Sequence, residues 1–142
     1  DPRKAENKDI LNARVKRREG FRPFAPSVLL ERADDFFELG VPSPYMLLVA
    51  PVRPEKREII PAINHVDNTT RVQTVTQEAN GLFYDLIAAF GDLTGVPVLL
   101  NTSFNVAGEP IVETPEDAIR CFLGTEIDVL MLDNFLLQKR AL

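Results

Sequence analysis

The sequence predicts one α/β domain with a mixed sheet, because strand and helix signals alternate along the chain instead of segregating. Three stretches carry that prediction. Residues 96–100 form a short run rich in branched side chains, opened by Gly95 and Pro97 and closed by polar Asn101, which is the signature of a buried strand. Just before it, Phe83, Leu86, Ile87 and Phe90 recur at helical spacing for one buried face, with Asn80 placed to cap the helix and Gly95 to end it. Beyond it, Thr114, Pro115, Glu116 and Asp117 read as an N-cap, a proline at the first helical position and acids in the first turn.

Taken in order, residues 1–9 are charged and lack an apolar period, so 1–11 reads as a linker or truncated N-terminal segment, with a frayed helical turn as its other form, and 12–142 as the domain. Residue 1 is Asp and the opening is polar, which points to an excised C-terminal piece of a longer protein; processing of an initiator segment is the alternative. Alternation over residues 12–18 predicts a strand with Arg14, Lys16 and Arg18 on one face. Glu19 and Gly20 predict a turn. Residues 21–26 are extended because each proline biases its predecessor out of the helical region, with Phe21 and Phe24 as core residues. A short helix follows over 31–39, closed by Gly40, with Phe36 and Phe37 inward. Residues 41–61 hold five of the eleven prolines, around a buried strand at 45–52. His65 to Asp67 precede a turn at 68–70, and 71–75 resumes strand alternation with Arg71 and Gln73 on one face. The last helix reaches Leu123 with Ala118, Cys121 and Phe122 inward, and 127–132 and 135–137 are closing strands.

Composition excludes several classes of function. The 142 residues are 45% hydrophobic and 26% charged, as in a soluble globular protein with one core. The apolar run at 45–52 is too short to cross a bilayer and no signal peptide is visible, so no membrane partner is expected and a cytoplasmic setting is the default. Cys121 is the single cysteine and His65 the single histidine, so neither an internal disulfide nor a zinc site is expected. The net charge is −5, yet residues 14–22 carry +4, leaving −9 for the remainder. Such a balance argues against a general nucleic-acid binder while concentrating cations in one segment. That run is either a solvated charged face or a surface for an anion.

Chemistry is sought first at residues 101–105, the polar end of the predicted strand at 96–100, because ligands of open α/β sheets bind outside strand carboxyl ends. These side chains either cap the strand and its turn or meet a ligand. No Walker loop or GxGxxG fingerprint is present, so a phosphate is left to side chains, for which Lys16, Arg18, Arg22 and Arg71 are the candidates. Ser103 and Asn105, one strand repeat apart, can address the same ligand. Ser103 has no evident base partner and is not a convincing nucleophile. His65 is a structural hydrogen-bonder or, with Asp67 two residues on, oriented for substrate contact. Cys121 reads as a small buried hydrophobe.

Three segments, NARVKRREGFRPFAPSVL at 12–29, RVQTV at 71–75 and GVPVLLNTSFNVAGEPIVETPEDAIRCF at 95–122, resemble the C-terminal domain of the NodU/CmcH-type carbamoyltransferases. The resemblance covers nearly the whole chain in family order. It implies a YrdC-like fold, a twisted open mixed sheet flanked by helices with a cationic concave face. The family's lysine-x-arginine and serine-x-asparagine pairs fall on Lys16 to Arg18 and Ser103 to Asn105. Arg22 and Arg71 are then similar to phosphate or carbamoyl ligands. Lys16, Arg71 and Ser103 become the catalytic candidates, and Lys16, Arg18, Arg22, Arg71, Ser103 and Asn105 the nucleotide-binding set, with no protein-held metal.

The resemblance further implies an O-carbamoyltransferase that forms a carbamoyl-adenylate from carbamoyl phosphate and ATP, with Mg²⁺ brought by ATP. Transfer to an acceptor hydroxyl would fall to an N-terminal domain of the actin/sugar-kinase type, to which nothing in this sequence is similar. The alternative is a YrdC-like module that binds nucleotide or RNA without independent catalysis. A homodimer is a further possible partner arrangement.

Overall fold

A computed structural model describes residues 1–139. The chain is an α/β protein whose elements alternate: α1 (Glu6–Ile10) runs into a π-type helical turn (Leu11–Lys16), followed by β1 (Ala25–Leu29), α2 (Ala33–Phe36), β2 (Val49–Pro51), β3 (Thr69–Arg71), β4 (Gln73–Val75), α3 (Gly81–Thr94), β5 (Val98–Asn101), α4 (Pro115–Gly124), β6 (Val129–Leu132) and β7 (Phe135–Gln138). These elements belong to two compact units. Residues 1–8 and 23–102 make the first, and residues 9–22 with the chain from Ser103 onward make the second.

The first unit is built on β1, every residue of which is buried. It pairs in parallel with β4, Val28 opposite Thr74, and antiparallel with β5, Val28 opposite Val98, which makes a mixed three-stranded sheet in the order β4-β1-β5. Leu29, Val75 and Ile87 join across it, and Phe83, Tyr84, Ala88 and Leu99 pack around them. The α3 boundaries follow from their caps. Asn80 Oδ1 accepts from the Phe83 amide at 3.2 Å, and Gly95, at φ 77°, ends the helix with its amide on the Gly91 carbonyl at 2.7 Å. A separate two-stranded sheet pairs β2 with β3, setting Val49 directly opposite Arg71.

In the second unit α4 lays Ala118 and Phe122 against Leu130 of the antiparallel β6–β7 pair, with Phe104, Val112, Ile127, Leu132 and Leu137 around them. Thr114 Oγ1 accepts from the Asp117 amide at 3.2 Å while Asp117 Oδ2 accepts from the Thr114 amide at 3.3 Å. This reciprocal capping box satisfies two amides that the first turn leaves unpaired. Cys121 is buried on the same helix face, as its spacing predicts.

Several expectations are corrected. Residues 12–16 of the predicted strand are helical and 17–18 leave the helix, because Leu, Ala, Arg and Lys are good helix formers that outweigh Asn and Val, and a seven-residue alternation cannot overrule α1 running into it. Phe21 is 78% exposed, outside the core that Phe24 enters. The helix predicted over 31–39 is a 3₁₀ turn at Leu30–Arg32 followed by α2, since Phe37 leaves the helical region to bridge Val52. Of the strand expected at 45–52 only β2 forms, with Tyr45 and Leu47 each 81% exposed. The single strand expected at 71–75 divides around Val72 into β3 and β4, which serve different sheets. The turn before it lies at residues 66–68, one or two positions early. Leu86 sits on the exposed side of α3. The extended stretch expected at 21–26 enters β1 at Ala25 and Pro26, and the strand continues to Leu29, where no element was expected. Residues 140–142, the end of the predicted domain, lie outside the described residues.

Candidate functional site

Lys16 ends the π-type helical turn and is 4% exposed. Its Nζ donates toward four oxygens: the Ser103 carbonyl at 2.6 Å, Ser103 Oγ at 3.1 Å, the Asn105 carbonyl at 2.9 Å and Asn105 Oδ1 at 2.7 Å. An ammonium has three N–H bonds, so at least one is shared between acceptors. Ser103 Oγ in turn donates to Asn105 Oδ1 at 2.6 Å, and Asn105 Nδ2 donates to the Glu109 carbonyl at 2.9 Å. The amide of Ala107 donates to the Lys16 carbonyl at 3.2 Å. Burial, followed by the Arg18 charge, lowers the Lys16 pKa from its ordinary value. Its partners are all acceptors, which favours the charged form and holds the proton on the amine in this arrangement.

The chain then turns through Arg17, whose left-handed φ of 50° closes the helical turn, and whose guanidinium donates to the Gly124 carbonyl at 2.5 Å. Arg18 Nε donates to Asn12 Oδ1 at 2.7 Å, and Arg22 pairs with Glu19 at 2.9 Å. Asn12 is fully buried and organises this loop: its Nδ2 donates to the carbonyls of Arg22 at 2.9 Å and Gly20 at 3.3 Å. Burial, then the neighbouring Arg22 charge, lowers the Arg18 pKa. The second unit thus brings Lys16, Arg18, Arg22, Ser103 and Asn105 into one polar, cationic region.

Arg71 lies in the first unit. It lines a pocket of about 290 Å³ with Pro23, Phe24, Ala25, Val49 and His65. Val49 shares this wall because β2–β3 register sets it opposite Arg71. The Arg71 residue is exposed, and its guanidinium has no hydrogen-bond or ion-pair partner among the described residues. His65 is half-buried, and its Nε2 lies 3.1 Å from the Phe24 carbonyl. A carbonyl can only accept, so Nε2 carries the hydrogen and Nδ1 of the neutral ring is an acceptor. Backbone bonds from the His65 amide to Thr69 and from the Asn68 amide to His65 close the loop below the ring. Asp67 bonds the Thr69 amide and hydroxyl, so Phe24 is the residue that orients His65. These Thr69 bonds lower the Asp67 pKa.

The family model of the carbamoyltransferase C-terminus matches residues 1–139, which takes in both regions just described. This chain belongs to that family. Nodulation protein NolNO of Sinorhizobium fredii is 52% identical over 99% of this chain and 21% of its own length. Nodulation protein NolO of Bradyrhizobium diazoefficiens is 51% identical over 99% of this chain and 26% of its own. A Synechocystis protein, sll1178, is likewise 51% identical over 99% of the chain and 26% of its own. The chain spans about a quarter of the length of the curated relatives it matches.

In this member of the carbamoyltransferase C-terminus family, sequence reasoning missed Asn12 and Gln73. Gln73 Oε1 accepts from Ser27 Oγ and from Asn101 Nδ2, each at 2.7 Å, tying the three strands of the first sheet together. An asparagine just before a basic run and a glutamine two residues from an arginine carry no signal apart from the fold. Their roles appear only once the strands are paired.

Proposed function

We propose that this chain is the adenylate-forming part of an O-carbamoyltransferase. The observation that carries the reading is the convergence of Lys16 with Ser103 and Asn105, 87 and 89 residues away, in a region that also holds Arg18 and Arg22. Phosphoryl chemistry requires positioning and charge neutralisation more than covalent participation, and this cationic region is suited to both. In the proposed sequence, water releases inorganic phosphate from carbamoyl phosphate and leaves carbamate. A carbamate oxygen then attacks the α-phosphorus of ATP and pyrophosphate departs. An acceptor hydroxyl, brought by the actin/sugar-kinase-like remainder of a longer polypeptide, attacks the carbamoyl carbon and AMP leaves.

Lys16, Arg18 and Arg22 balance nucleotide phosphate charge, and Ser103 and Asn105 orient the phosphates. Arg71 grips carbamoyl phosphate in the first unit's pocket. Mg²⁺ arrives with ATP in this reading and offsets phosphate charge. Among the described residues, no helix is long and apolar enough to cross a membrane.

Titration with a non-hydrolysable ATP analogue and Mg²⁺ tests the nucleotide assignment. Micromolar binding, weakened about tenfold or more in Arg18→Ala and Lys16→Ala, is the expected result. A folded chain that shows no binding overturns it. A second reading, nucleotide binding without turnover by this chain, is favoured by one detail: the Lys16 protons and the Ser103 hydroxyl are committed to protein acceptors. Binding without pyrophosphate release on adding carbamoyl phosphate selects that reading.

A further inference from the structure

We infer that His65 is the residue by which the Arg71 pocket distinguishes a carbamoyl group from other acyl groups, reading its NH₂ through Nδ1. The inference rests on the assignment of carbamoyl phosphate to this pocket. Arg71 supplies charge and up to five N–H donors, all of them suited to phosphate or acyl oxygens. A guanidinium has no acceptor, so it cannot tell carbamoyl phosphate from acetyl phosphate. The two ligands have the same charge and nearly the same shape, and they differ by NH₂ in place of CH₃. Discrimination therefore requires an acceptor on the wall.

Of the six lining residues, Pro23, Phe24, Ala25 and Val49 offer no side-chain acceptor, and Arg71 offers none. Among the lining side chains, His65 is the remaining one. In the neutral ring, the 3.1 Å bond to the Phe24 carbonyl occupies Nε2–H and leaves the lone pair on Nδ1. Nδ1 has no partner among the described residues. The ring is half-buried, which limits competition from water for that lone pair. Its backbone is braced by the bond from its amide to Thr69 at 3.1 Å and by the bond from the Asn68 amide to its carbonyl at 2.9 Å, so the imidazole is presented by a closed loop. A donor group on the ligand gains a hydrogen bond there, and a methyl group leaves the nitrogen desolvated and unpaired, a difference of about five- to tenfold in affinity.

The test is calorimetric titration of the 142-residue chain with fresh carbamoyl phosphate and, in parallel, acetyl phosphate. The wild type is expected to prefer carbamoyl phosphate about five- to tenfold. His65→Ala should lose the preference while keeping its affinity for acetyl phosphate, and Arg71→Ala should weaken both ligands. Equal affinity of the wild type for the two, or a preference that survives in His65→Ala, overturns the role of His65 and leaves the pocket assignment standing. Failure of the wild type to bind either ligand overturns the pocket assignment and the inference with it. Should His65→Ala fail to fold, the imidazole ¹⁵N spectrum of the wild type decides. Carbamoyl phosphate should move the Nδ1 resonance in the direction of an accepted hydrogen bond, and acetyl phosphate should not; an identical response to both overturns the inference.

Discussion

Lys16 and Gly91 are positions where a single side chain settles local structure. Replacing Lys16 with Met keeps the aliphatic stem and removes the donor, so the carbonyls of Ser103 and Asn105 and the Asn105 amide oxygen lose their partner. Lys16→Met should lower unfolding free energy by about 1–3 kcal/mol in urea denaturation. At Gly91 an added Cβ would lie 2.8 Å from Pro97 Cβ and 3.1 Å from Pro97 Cα. Alanine improves helix propensity by about 1 kcal/mol over glycine. Overpacking against a backbone that cannot retreat costs about 1–3 kcal/mol and should prevail, so Gly91→Ala is expected to lower the melting temperature. The meeting of Lys16 with Ser103 and Asn105 was implied only by the family resemblance; residue type alone offered each of them to a ligand, not to one another. Exposure was not legible either: Phe21 and Leu86 are apolar and lie outside, because residue type specifies a tendency and the neighbours decide which faces are covered.

Among the elements, the two long helices were legible to within a residue or so at their ends, and the reason is capping. Asn80, Gly95, Thr114 and Pro115 act on backbone groups within a few positions of themselves, so their effect needs no tertiary context. Thr114→Ala should destabilise α4 and lower unfolding free energy by about 1 kcal/mol. Asp117 adds a pH dependence of known sign. Hydrogen bonds from the Thr114 side chain and then its amide hold its carboxyl below the ordinary 3.8, so it contributes stability above that pH and loses it as pH falls through the folded value. Denaturation between pH 6 and 2 should therefore show a shallower acid limb in Asp117→Asn than in the wild type. The strands were harder to read. β1 contains a proline and gains its place from partners 46 and about 70 residues away, and β3 and β4 are separated by a change of sheet that alternation cannot register.

For the molecule as a whole, the strands differ in how thoroughly they are buried. β1 is covered along its full length, whereas β6 and β7 expose Val129, Met131, Phe135 and Leu136. Protection should follow coverage, so native-state hydrogen exchange is expected to leave β1 amides slowest and to release those of β6 and β7 at least about tenfold faster. The α/β class was legible because alternation of element types survives errors in individual boundaries. The arrangement into three small sheets was not, since it depends on register between distant segments. The sealed amine in the second unit also gives the protein a built-in chemical timer. Lys16 is the only lysine among the described residues that is buried, while Lys4 is exposed and Lys8, Lys56 and Lys139 are half-buried. An acylating reagent will therefore modify those four promptly and mark Lys16 only when the 103–105 segment lets go, so the delay in its mass tag measures how often that region opens.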